Sequence, residues 1–189
     1  DLYQYQIDLS QQELVDCAPM DHGCDGGWPT NTFSYVKGNG IQMASKYPYK
    51  AVAGSCKGDE YGPKIYFDDF EPKETSFTMK RTTKLLNDPT TMVHPGTCIY
   101  SSGRFSSLSN SLDTYDPNLA AAGSGKECST AVDHAVNIIS VGSTFVTLQN
   151  SWGTDWAMQG TKKIKPCSDK LLLGEPSVLQ WTKNSAKAD

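Results

Sequence analysis

The stretch "TAVDHAVNIISVG", residues 130–142, sets one histidine, His134, at the head of an otherwise apolar, strand-like run. Taken alone, such a histidine is more often a core group satisfied by one hydrogen bond than a chemical one. What lies downstream changes that reading. Asn150 ends the next strand-like run, in "LQNSWGTDW", residues 148–156. Two neighbouring strands joined by a short turn bring an imidazole and a carboxamide side by side. An asparagine oxygen that accepts from one ring N–H fixes the tautomer and aims the other nitrogen at a nucleophile. The simpler alternatives are that Asn150 is a turn residue capping a strand and that Trp152 and Trp156 are core.

The pair belongs to a strand-rich second part of the chain. "TCIYSS" (97–102), "HAVNIIS" (134–140), "TFVTLQN" (144–150) and "TKKIK" (161–165) are short candidates separated by Gly, Ser, Asn and Asp, a spacing that predicts antiparallel sheet or barrel. Before them, "SFTMKRTTKLLND" (76–88) reads as an amphipathic helix with Phe77, Lys84 and Leu85 around it, stopping before Pro89. The first part is helical. In "LSQQELVDCA" (9–18), Ser10 and Glu13 have the capping-box spacing, so a short helix starts at Ser10. "HGCDGGWP" (22–29) reads as a loop, and Pro29 then opens a second helix that ends at Gly38 and Gly40. "KIYFDDF" (64–70) alternates as a strand would. The expectation is an α+β fold of two lobes with a boundary near residue 70: residues 1–70 helical, 71–189 β-rich, and a site in the crevice between them.

Composition bounds the function. The chain has 189 residues, 38% hydrophobic and 20% charged, with four Trp and nine Tyr, which describes a globular protein. A formal net charge of -4 argues against a nucleic-acid surface, because phosphate contacts need clustered Lys and Arg. The one basic cluster, "KRTTK" (80–84), reads as the solvated face of the helix. No run approaches the roughly 18 apolar residues that span a bilayer, so no membrane partner is expected. The abrupt opening, "DLYQYQIDLSQQELVDC", implies a mature or truncated product.

Six cysteines, Cys17, Cys24, Cys56, Cys98, Cys128 and Cys167, include no Cys-x-x-Cys pair. Oxidised bridges in a secreted, lysosomal or vacuolar setting are therefore expected rather than zinc, and six cysteines allow fifteen full pairings. His22 and His94 sit beside turn formers and read as solvent-facing, and the three histidines lack metal-ligand spacing, so neither metal nor cofactor is expected. No Asn-x-Ser/Thr sequon occurs.

Five motifs, "LSQQELVDC", "GCDGGWP", "YPY", "VDHAV" and "NSWGTDW", follow one another in the order and spacing of the papain-like cysteine proteases, the cathepsin and plant thiol-protease family, which the chain resembles from about Leu9 to Lys165. The resemblance implies a cysteine endopeptidase of two lobes with a cleft between a helical and a β-barrel-like part. It implies that His134 is the catalytic imidazole, Asn150 its orienting partner and Trp152 the indole that shields their hydrogen bond. Gly26 and Gly27 match the loop that pairs with an extended substrate. Trp28, Pro29, Val132, Asp133 and Ala135 fall where the family builds its main specificity pocket, with an apolar or aromatic occupant. It further implies bridges Cys17–Cys56 and Cys128–Cys167, leaving Cys98 as a buried thiol and Cys24 without a mate. Peptide or protein substrates and protein inhibitors are the implied partners.

The sequence also departs from the family pattern. The nucleophile segment, Cys-Gly-Ser/Ala-Cys-Trp/Tyr, does not occur in these residues, nor does the oxyanion-hole glutamine. The expectation is that an N-terminal segment or a companion chain carries the nucleophile, and that this chain alone does not hydrolyse peptides. The alternative is an inactive homologue that binds peptide or serves in storage or defence. "SVGSTF" (140–145) stands where the family has Gly-Tyr-Gly, and Ala157 and Thr161 replace a glycine and an aromatic. Asp133 either favours imidazolium at His134 or points to the opposite face, as adjacent strand residues do.

Overall fold

The computed structural model describes residues 7–67, 69–71, 79–87, 95–101, 104–108, 112–117, 132–166 and 178–180. Two compact units are distinguished, Asp1–Phe70 with Gln180–Asp189, and Glu71–Leu179. The expected contributions of Phe77, His94, Cys128 and Cys167, and the C-terminal tail, lie outside the described residues.

In the first unit, α1 (Gln11–Cys17) is capped by Ser10, whose hydroxyl accepts from the Glu13 N–H at 2.9 Å. Only half of the expected capping box forms. The Ser10 N–H donates to the Gln42 carbonyl, and the Glu13 carboxylate instead takes the Gln42 N–H, the Tyr35 hydroxyl and the Lys64 ammonium, the last at 3.1 Å. Glu13 is fully buried, and these three donors together offset the loss of its hydration. Burial, with the neighbouring Glu13 charge second, pushes the Tyr35 phenol up to about 12. Cys17 is joined to Cys56, which ties the end of α1 to the turn-rich segment 50–62.

The loop "HGCDGGWP" contains a short 3₁₀ turn, Gly23–Asp25, where the sequence suggested irregular chain throughout. Pro29 then opens α2 (Pro29–Asn39), whose interior includes Gly38 and whose cap is Gly40 at φ 67°. A Cβ at Gly40 would come within 2.9 Å of Lys64 and Tyr66, so glycine is required there for space as well as for backbone. "KIYFDDF" is not one strand. Ile65 forms an isolated bridge with Ile41, and β1 (Asp69–Glu71) begins only later, pairing with β6 (Val178–Gln180). Tyr66 is exposed while Phe67 is buried, the phase expected of alternation, but among the described residues 64–67 only the single bridge of Ile65 is formed.

In the second unit, α3 (Met79–Asn87) precedes an antiparallel sheet of order β2-β3-β4-β5: Gly96–Ile99, His134–Val141, Val146–Gln149 and Thr161–Ile164. Lys80 and Lys84 of the basic cluster are exposed, but Thr82 is fully buried, so the cluster is not a uniformly solvated face. The core consists of Ile99, Phe105, Val136, Ile138, Val146, Leu148, Trp156, Ala157 and Ile164, with Met79 and Leu86 of α3 packed against it. Removing each large aliphatic side chain from water contributes roughly 1.5–3 kcal/mol.

The β3–β4 hairpin fixes the site. Near the turn, Val141 pairs with Val146 and Ser140 with Thr147; past a bulge at Ile139, Ile138 pairs with Leu148 and Asn137 with Gln149. Val136 and Ile138 on β3, and Val146 and Leu148 on β4, face the core. His134 and Asn150 continue these two inward rows past the last apolar residues, so alternation delivers both to the open end of one face.

Candidate active site

His134 Nε2 and Asn150 Oδ1 are 2.7 Å apart. The backbone N–H of Ser151 donates to the same Oδ1 at 2.8 Å. Because that N–H can only donate, the atom facing it is the amide oxygen, and the ring nitrogen must then carry the proton. Neutral His134 is therefore the Nε2–H tautomer, with the Nδ1 lone pair turned away from Asn150. The partly buried imidazole is covered by Trp152, with ring centroids 4.7 Å apart and planes inclined at 29°. Trp152 is 39% exposed and Trp156 8% exposed, so of the two tryptophans the first lies half-exposed over the imidazole and the second is core.

Val132, Asp133 and Ala135 flank the imidazole along the chain. Ala135 and Asp133 are exposed, and the Asp133 carboxylate accepts from the Ser101 N–H at 2.7 Å. The Asp133 N–H donates to the Ile99 carbonyl, so the residue before His134 is fixed to the end of β2 through both backbone and side chain.

In the first unit, Gly26 has φ 104° and its carbonyl accepts from the His22 N–H at 2.8 Å. Gly27 and Trp28 are exposed, Trp28 at 53%. Asp21 holds this loop, and the sequence reading missed it. Its Oδ1 accepts from the Trp28 N–H at 2.9 Å and from Asn31 Nδ2 at 3.0 Å, while Oδ2 accepts from the Thr32 hydroxyl at 3.0 Å. An added Cβ at Gly27 would lie 2.4 Å from the Asp21 carboxylate. The signal for Asp21 was an acidic residue ahead of a helix whose first residue, Pro29, brings no N–H of its own. Cys24 is exposed and Cys98 buried within β2, while His22 is exposed. Among the described residues no group of three His, Cys, Asp or Glu is placed to hold a metal ion, and no helix is long and apolar enough to cross a membrane.

Comparison with known proteins bears on the family and the fold. The sequence profile described as "Papain family cysteine protease" matches residues 2–171. The chain is 33% identical over 165 residues to mexicain of Jacaratia mexicana, covering 87% of this chain and 70% of that protein. It is 34% identical over 158 residues to caricain of Carica papaya, covering 79% of this chain and 40% of that one. A cysteine protease of Carica candamarcensis, solved in complex with E-64, superposes with a TM-score of 0.73 at 25% identity over 95% of this chain and 80% of that one. The fold of bromelain from Ananas comosus is also similar, with a TM-score of 0.72 at 20% identity over 94% of this chain and 80% of that one. These architectures are the α+β papain type, with few helices and an antiparallel sheet. On sequence match and fold together, the chain belongs to the papain family of cysteine proteases.

Proposed function

We propose that this chain supplies the imidazole, the carboxamide and the substrate-binding loops of a cysteine-type endopeptidase whose nucleophilic thiol is carried by a segment or companion chain outside these 189 residues. The observation that carries the reading is the pinned tautomer: Asn150 holds the proton on Nε2 of His134, leaving Nδ1 to deal with the thiol. His134 takes the thiol proton, and the thiolate attacks the substrate carbonyl carbon. The imidazolium then returns that proton to the departing amine as the C–N bond breaks. Water adds to the thioester with His134 as base, releasing the carboxylate product and restoring the thiol. Because His134 accepts and returns the proton through Nδ1, the bond to Asn150 persists throughout.

The peptide is read in an extended form. Neither the N–H nor the C=O of Gly27 is paired with another described residue, which leaves both for an extended substrate backbone, while the missing side chain makes room for the Asp21 carboxylate. Gly26, whose carbonyl is already engaged, serves the turn instead. Trp28 and Pro29 of the first unit, and Val132, Asp133 and Ala135 of the second, are the specificity residues in this reading, and the exposed indole of Trp28 suits an apolar or aromatic substrate side chain. The Cys17–Cys56 bridge fits a secreted, vacuolar or lysosomal protein.

The test is labelling by a thiol-directed epoxide and thiol-dependent peptidase assay of the natural polypeptide with its nucleophile segment. Labelling and cleavage are expected. A protein that takes up no epoxide and cuts no peptide is instead an inactive relative that uses these loops for binding.

A further inference from the structure

We propose that residues 48–57 form a strap along α1 which the Cys17–Cys56 bridge guards against cutting, so that reduction of the bridge turns the strap into a cleavage site for the complete peptidase itself. The identity of the cutting enzyme rests on the peptidase reading above; the guarding does not. Every residue of the strap is exposed, and none is in a helix or strand. Its ties alternate along the chain and run to α1. The Lys50 N–H donates to Gln12 Oε1 at 2.7 Å, the Val52 carbonyl accepts from Gln12 Nε2 at 2.8 Å, and the Gly54 N–H donates to Asp16 Oδ1 at 2.7 Å. Gln12 and Asp16, one helical turn apart, are themselves joined at 2.9 Å. Cys56, the next residue in that alternation, is bonded to Cys17.

The upstream post is firm. Tyr47 is 1% exposed, its hydroxyl donates to Asp16 Oδ2 and its carbonyl accepts from the Ser10 hydroxyl, both at 2.7 Å. Because the strap is exposed along its whole length, lifting it loses little apolar burial, and its surface hydrogen bonds are exchanged for water at small net cost. Ala51 has φ 57°, a left-handed conformation that a side chain disfavours, so release into an extended form relieves the backbone there. The covalent tie is what confines the segment. With both ends fixed it cannot lie extended in another molecule's cleft, and with the downstream end free it can. Reduction supplies that freedom: one thiol attacks a sulfur of the bridge, a second displaces it from the mixed disulfide, and Cys17 and Cys56 remain as thiols while the reductant leaves as its own disulfide. Tyr49, 62% exposed, then offers the kind of aromatic side chain that the specificity residues suit, and water adds across a peptide bond between Tyr49 and Val52. Conditions that keep a thiol nucleophile reduced therefore also open the strap.

The experiment uses the full natural protein with its bridge intact, with the bridge reduced and capped by iodoacetamide, and as the Cys17→Ser/Cys56→Ser variant. Trypsin, which cuts after lysine whatever the protein's own activity, is the probe, and new N-termini are read by mass spectrometry. Cutting after Lys50 is expected to be faster by about tenfold or more with the bridge open by either route, while cutting after Lys37, within α2, changes far less. Equal rates after Lys50 with the bridge open and closed would overturn the proposal. So would equal acceleration at Lys50 and Lys37, which marks loss of the whole unit and not of the strap. For self-cutting, the Cys17→Ser/Cys56→Ser variant is incubated with a thiol and no trypsin. A new N-terminus at Lys50, Ala51 or Val52 is expected, and Tyr49→Ser in the same background should suppress it. An active peptidase whose strap stays whole, or is cut as fast without Tyr49, overturns the self-cleavage. If the parent cleaves no peptide, the peptidase reading fails, and the tryptic rates still decide the guarding.

Discussion

His134 and Asn150 are 16 residues apart in the chain, and their ring nitrogen and amide oxygen are 2.7 Å apart in space. The contact follows from the hairpin, because each residue extends an inward row by one more alternation. Replacing Asn150 with Ala removes the acceptor that holds Nε2–H and frees the ring to flip. In the complete protease, kcat is expected to fall on the order of tenfold, the rate equivalent of one hydrogen bond to a charged group. Steady-state kinetics with separate kcat and KM will check this, and KM should change little because Asn150 meets no substrate.

Gly27→Ala places a methyl against the Asp21 carboxylate, within 2.4 Å of it. Either the loop or the carboxylate must move, and Asp21 is the acceptor for Trp28 N–H, Asn31 and Thr32. Weaker peptide binding is expected, with KM raised several-fold and kcat little affected. Asp21→Ala should act in the same direction by releasing the Trp28 N–H. Gly26→Ala should be costly for a different reason, the left-handed φ of 104°.

Cys17 and Cys56 are separated by 39 residues. Closing a loop of that size removes chain entropy from the unfolded state, about 4 kcal/mol in the entropic account. Replacing both cysteines with Ser should lower unfolding stability by roughly 2–4 kcal/mol in denaturant titration. A loss well under that range would show that the turn-rich segment 50–62 is held mainly by its hydrogen bonds to Gln12 and Asp16.

Stability should depend on pH at both extremes through Asp16 and Tyr47, which share a 2.7 Å hydrogen bond. Burial alone would raise the Asp16 carboxyl, but the bonds from Tyr47, the Gly54 N–H and Gln12 outweigh it and hold it below its ordinary 3.8. Its contribution is therefore complete above 3.8 and lost as the pH falls through the lower folded value. Tyr47 is pushed up to about 12, by burial first and by Asp16 next, so its contribution is complete below 10.0 and lost as the pH rises towards 12. Denaturant titrations across pH should show both losses, and Asp16→Asn should flatten the acid one.

Much of the second unit was legible because strand period and turn residues agree. "HAVNIIS" and "TFVTLQN" became β3 and β4 within two residues at either end, and the His–Asn pairing followed. Phe105 was not legible, since it lies on a turn in "SSGRFSSLSN" and carries no periodic signal; only the three-dimensional path brings it to Trp152. "KIYFDDF" misled because alternation says which face a residue takes, not whether a neighbouring strand is present. The capping box misled through competition: a buried backbone N–H at Gln42 and two side-chain donors claimed the Glu13 carboxylate. Ala157, where the family pattern has glycine, has φ 48°, so the left-handed turn persists without the residue that makes it easy.

The bulge at Ile139 decides which residue faces the imidazole. Counting from the turn without it, His134 would stand opposite Gly153, with no ring to cover it; the inserted residue shifts the count by one and brings Trp152 there instead. Hairpin closure and cover of the imidazole thus run on different counts, and one extra peptide unit converts between them. A variant with one further residue between His134 and the bulge should keep the sheet and lose the stacked pair, whereas deletion of Ile139 itself makes the ladder regular and leaves His134 opposite Trp152.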